Sequence, residues 1–217
     1  YTRLFLSHVD ENGISSPAVL LSKFTSPDRA ANIPEFVNLK SEGIRKIREN
    51  FIDDVSFFRA GNAFREAGEM ENAIVQYRKA LELNPDNVET LVNLATLLSN
   101  TNMIQEAVTC LQKAVRIAPT NATVLYNLAV TVARQGDLDA AIRCCRESVK
   151  FDPQSANARS NLGIFLMERG GLDEAAVHLN EAIRLDPDKG NTHFALGRIL
   201  VRKGRLAEAV KHYSEAV

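Results

Sequence analysis

The sequence predicts an all-α fold: a right-handed α-solenoid of about five helix hairpins, preceded by a short β-hairpin and loop segment. Four series of residues predict it. Pro85, Pro119, Pro153 and Pro187 stand 34 residues apart. Ala73, Ala107, Ala141, Ala175 and Ala209 keep the same interval, as do the small residues Gly61, Ala95, Ala129, Gly163 and Gly197. Gly68, Asn102, Gly136, Gly170 and Gly204 form the fourth series. A fixed period over most of a chain is the signature of stacked structural repeats.

Residues 1–36 lie outside the period. Residues 4–9 and 18–21 read as two short strands, joined through the turn-forming Asp10-Glu11-Asn12-Gly13. A lone hairpin is marginal in water, so a larger sheet is expected to precede Tyr1. Residues 37–53 read as a capping helix or linker, with Ile44, Ile47 and Phe51 on one face. The repeats follow at 54–87, 88–121, 122–155, 156–189 and 190–217. The fifth stops about six residues short of its period, so either the array continues or its end is uncapped.

The third repeat shows why each unit is a hairpin. Leu125, Leu128, Ala129 and Val132 recur at helical spacing, and so do Ala141, Cys145 and Ser148. Gly136 ends the first helix, because Gly and Asn tolerate the left-handed conformation of a helix C-terminus. Asp152-Pro153 ends the second, since proline lacks the N–H that a helix needs. Small residues at positions 129 and 141 let the two helices approach closely. Such a hairpin cannot bury its apolar face alone, so neighbours must stack.

These residues carry a resemblance to the tetratricopeptide repeat, whose pattern runs W-x2-L-G-x2-Y, then A-x3-F, then P. The fourth repeat matches at Leu162-Gly163, Leu166, Ala175, Leu179 and Pro187, and the first at Gly61, Phe64, Ala73, Tyr77 and Pro85. The family's opening Trp is replaced by Phe57, Leu91, Leu125, Arg159 and His193. The resemblance implies a protein-interaction scaffold that binds an extended peptide or partner helix in a concave groove lined by the first helices. It places Phe58, Val92, Tyr126 and Phe194 in that groove, with Asn62, Val130, Ile164 and Arg198 one turn further on. It also places there Asn93, Asn127 and Asn161, three asparagines 34 residues apart. This ladder resembles the groove of O-GlcNAc transferase, where asparagines hold a peptide backbone; the alternative is that they serve the stacking of the repeats. A two-carboxylate clamp for acidic chaperone tails is broken, because Phe58 replaces its lysine and Thr123 and Asn127 replace its last basic pair.

Composition narrows the remaining classes. Lys and Arg total 26 against 27 acidic residues, so no basic surface is forced and nucleic-acid binding is disfavoured. No apolar run reaches the roughly 18–20 residues of a membrane helix. No phosphate-binding, dinucleotide, nucleophile-elbow or zinc-protease motif occurs, so no enzyme activity, cofactor or metal is expected. Cys110, Cys144, His178 and His212 share one repeat position, but stacked repeats stand on the order of 10 Å apart, too far for zinc ligands converging at ~2.0–2.3 Å. The second reading of the chain is a structural or oligomerisation module, self-associating through an uncapped last repeat.

Residues 1–21 resemble the end of a blade from a TolB-like β-propeller. That resemblance implies a bacterial, periplasmic or otherwise extracytoplasmic protein, while three unpaired cysteines point to a reducing, cytoplasmic compartment.

Overall fold

The computed structural model describes residues 53–216, and every described helix belongs to a hairpin. In chain order these are α1 (Asp54–Glu66) and α2 (Met70–Leu83), α3 (Val88–Asn100) and α4 (Ile104–Ile117), α5 (Ala122–Arg134) and α6 (Leu138–Phe151), α7 (Ala156–Glu168) and α8 (Leu172–Leu185), and α9 (Gly190–Arg202) and α10 (Leu206–Ser214). Among the described residues there is no strand. The expected hairpin of residues 4–21 and the capping helix of 37–53 lie outside the described residues, apart from Asp53.

A recurrent local chemistry starts and stops the helices. Asn87, Asn121 and Ser155 precede α3, α5 and α7, and their side chains accept backbone N–H groups of the first turn, as Asn87 does from Thr90 at 3.0 Å. Lys189, before α9, breaks this series and makes no side-chain cap. The first helix of each hairpin ends in one left-handed residue: Gly68, Asn102, Gly136, Gly170 and Gly204, with φ of 81, 65, 95, 94 and 74°. A backbone bond then closes each end, such as Asp137 N–H to Val132 C=O at 3.0 Å. Pro85, Pro119, Pro153 and Pro187 follow the second helices directly after their last capping residue.

The alanine series forms the closest part of each hairpin. Ala73, Ala107, Ala141, Ala175 and Ala209 are all fully or almost fully buried. Around them Leu94, Leu98, Leu111, Leu162, Leu179, Leu196 and Ile199 fill the space between neighbouring hairpins. Polar ties run across the surface between repeats. Arg78 pairs with Glu106 at 2.9 Å, and Arg146 with Glu174 at 2.8 Å, two repeats further on. A second row joins Gln135 to Gln105, Arg169 to Asp139 and Lys203 to Asp173. Each such exposed pair contributes at most about 1 kcal/mol, so the buried seams hold the stack and the ties fix its register.

Candidate functional site

Consecutive first helices touch one another: α3 meets α5, α5 meets α7, and α7 meets α9 more closely than any successive second helices meet. The first helices therefore form the inner face of the stack. The groove residues read from the sequence all sit on this layer, on α1, α3, α5, α7 and α9.

The asparagine series divides in two. Asn93 Nδ2 donates to Asn62 Oδ1 of the preceding repeat at 3.3 Å, and the Tyr77 hydroxyl donates to the same oxygen at 2.6 Å. Asn161 Nδ2 donates to the Tyr126 hydroxyl of its preceding repeat at 3.2 Å. Each of these asparagines thus commits one amide N–H to stacking. Asn127 does not: among the described residues its side chain has no hydrogen-bond partner, and it is half-buried. It lines a cleft of about 210 Å³ with Thr123 and Tyr126 on α5, Asn157 on α7, and Ser148, Asp152 and Ser155 at the joint between α6 and α7. Burial raises the Tyr126 hydroxyl above its ordinary pKa, so it stays neutral and able both to donate and to accept.

The apolar groove residues fall into distinct roles. Phe58 packs on Tyr77 with ring centroids 6.0 Å apart, and Phe194 packs on Tyr213 at 5.6 Å. Phe194 nevertheless leaves 53% of its surface open. Val92 and Ile164 are half-buried against the core, and Val130 and Arg198 are half-buried on the same layer. The fourth repeat has no aromatic where Phe58, Tyr126 and Phe194 stand. Ser160 occupies that position, fully buried, with its Oγ 2.8 Å from Thr192 Oγ1.

The cysteine and histidine column does not form a metal centre: among the described residues no group of three or more His, Cys, Asp or Glu converges on one point. Burial pushes the Cys145 thiol up to about 12 and raises Cys110 and Cys144 as well, so none is poised as a thiolate. Two features escaped sequence reasoning. One is the cleft beside Asn127, a residue that the sequence marks only as one of three equivalent asparagines, and which Thr123 and Asn157 join once α5 and α7 are adjacent. The other is a direct contact between His193 and His212, whose Nδ1 atoms lie 3.0 Å apart.

Comparison with known proteins follows the same layer. A TPR repeat model matches residues 61–102 and 100–136, and tetratricopeptide repeat models match residues 122–155 and 160–217. The propeller resemblance of residues 1–21 finds no support among these matches. No curated protein matches the chain. Among solved structures, the MamA protein is 26% identical over 75% of this chain and 89% of its own, with a TM-score of 0.68. MamA from Desulfovibrio magneticus RS-1 is 21% identical over 75% and 92%, with a TM-score of 0.69. YrrB, described as a TPR protein with an unusual peptide-binding site, is 23% identical over 81% and 91%, with a TM-score of 0.66. The period, the paired helices, their left-handed caps and these matches agree: the chain belongs to the tetratricopeptide repeat family.

Proposed function

We propose that the chain is a non-enzymatic protein-interaction scaffold whose inner face binds an extended peptide segment, gripped at the α5–α7 cleft. Family membership supports the interaction role, and the observation that carries the finer reading is Asn127. Its amide offers one acceptor and two donors that no described residue satisfies, beside a neutral tyrosine hydroxyl and the side chains of Thr123 and Asn157. An amide can pair with both the N–H and the C=O of a peptide backbone whatever the side chains are. Val92, Val130, Ile164 and Phe194 supply apolar contacts on either side. Asn93 and Asn161 keep their carbonyl oxygens for a ligand while their N–H groups hold the repeats in register.

Selecting a displayed library of random peptides against the chain supplies a ligand, and calorimetry with Asn127→Ala tests the site. Each net hydrogen bond contributes about 0.5–1.5 kcal/mol, so affinity is expected to fall roughly three- to tenfold with the melting temperature unchanged. Unaltered affinity with an intact fold would move the site elsewhere.

A second reading, self-association, is favoured by Leu206 and Val210 on α10, which leave 61% and 67% of their surfaces open. Light scattering across a hundredfold concentration range checks it. A constant monomer mass removes it.

A further inference from the structure

The last hairpin holds a contact that its neighbours lack. His193 on α9 is buried, with 7% of its surface open. Its Nε2 lies 2.9 Å from the Pro187 carbonyl oxygen. That oxygen can only accept, so Nε2 carries a hydrogen. A neutral His193 then presents a lone pair at Nδ1, and the hydrogen between the two rings must sit on His212 Nδ1, 3.0 Å away on α10. The next residue on each helix adds a second tier: Phe194 and Tyr213 pack at 5.6 Å, and the Tyr213 ring lies against Gly197.

We propose that the His193–His212 pair is a pH-sensitive clasp, holding α10 against α9 while His193 is neutral and releasing it once both imidazoles are protonated. A proton at His212 Nε2 leaves its Nδ1–H in place and converts the bond into a charge-assisted one. With both rings protonated, His193 Nδ1 also carries a hydrogen. This removes the acceptor and sets two N–H groups and two positive charges face to face.

The surroundings do not offset this. On α10 and at its C-terminal cap, His212 senses Lys211, Glu208 and Glu215. Glu208 is held by Arg205 through two bonds, one of 2.7 Å. Lys203 and Arg205, in the turn between the helices, line the same recess as His212, and α8 contributes the uncharged Ala176 and Asn180. Leu125 and Cys144 occupy the two equivalent positions of the third repeat, and Leu91 and Cys110 those of the second. Neither pair carries an imidazole. Because α9 carries Phe194 and Arg198, opening the clasp loosens one end of the inner face.

Hydrogen exchange of the 217-residue chain at about pH 7.5 and about pH 5.0, corrected for intrinsic rates, tests the clasp. Protection of residues 206–214 is expected to fall at least about tenfold on acidification, with less than about threefold change in α3–α6. The double variant His193→Leu/His212→Cys, which installs the third repeat's pair, is expected to hold α10 protection within about threefold. Should that variant fold poorly, His212→Gln retains an N–H donor without a charge and is expected to flatten the response. Imidazole nitrogen NMR at about pH 7.5 reads the tautomers directly. Equal loss of protection in wild type and variants, no loss in the wild type, or a hydrogen on His193 Nδ1 in the neutral form would each overturn the proposal.

Discussion

At one repeat position a small residue on the first helix faces a partner sixteen residues later on the second, and both tyrosine partners face a glycine. Gly61 faces Tyr77, Ala95 pairs with Leu111, Ala129 with Cys145, Gly163 with Leu179, and Gly197 with Tyr213. A Cβ at position 61 would stand 2.5 Å from Tyr77 Cε1, and one at 163 would stand 2.6 Å from Leu179 Cγ and 3.0 Å from the Ala175 carbonyl oxygen. Neither neighbour has room to move, since Tyr77 and Leu179 are fully buried. Gly61→Ala is therefore expected to cost about 1–3 kcal/mol in urea denaturation, the usual cost of overpacking a core. Gly61→Ala combined with Tyr77→Leu, the pair that the second repeat uses, is expected to recover most of that loss despite surrendering the Tyr77–Asn62 bond. A double variant no better than the single one would show that steric fit is not the cause.

The element scale is where the sequence was most legible. Each hairpin's boundaries follow from residues whose backbone chemistry admits few alternatives: a left-handed Gly or Asn, a capping Asn or Ser, a proline. Gly136 has φ of 95° and nothing within 4 Å of where a Cβ would stand. Gly136→Ala is accordingly expected to destabilise by about 1–2 kcal/mol through backbone strain alone; a melting temperature equal to wild type would refute this. The site was less legible. The 34-residue period places Asn93, Asn127 and Asn161 at equivalent positions, and equivalence in sequence suggested one shared role. Their bonding depends on the residue that each meets in the preceding repeat, and that residue varies. Asn93 finds the Asn62 carbonyl oxygen, Asn161 finds the Tyr126 hydroxyl, and Asn127 finds neither. Ser160 shows the same limit, since its burial with Thr192 follows from a partner 32 residues on that no local pattern announces.

Over the whole molecule, stability is expected to fall on mild acidification. Burial first, joined by nearby cationic groups and opposed by Glu174 and Glu208, holds His178 and His212 below the ordinary histidine pKa. As pH drops through about 6.5, the unfolded chain takes up these protons before the folded chain does. The unfolded state thus binds more protons, and stability declines from that pH down to the folded values. Urea midpoints at about pH 7.5 and about pH 5.5 check the sign, and His178→Gln is expected to shrink the difference. Asp173, Glu181 and Glu208 act in a lower window. Lys203, Arg184 and Arg205 hold their carboxyl groups below the usual range, so their small, solvent-screened contributions vanish only as pH falls through those depressed values. The size pairing of the hairpins has a further consequence for how the chain reaches this state. A nascent array of similar units risks closing a first helix on the second helix of the wrong repeat, because the caps and the buried alanines are alike in all of them. Here one class of mispairing is costly: Ala95 or Ala129 over Tyr77 or Tyr213 brings a Cβ where those rings leave room only for glycine. The ring-facing glycines of the first and last hairpins therefore act on kinetic fidelity as well as on stability, turning away alanine-bearing first helices from Tyr77 and Tyr213.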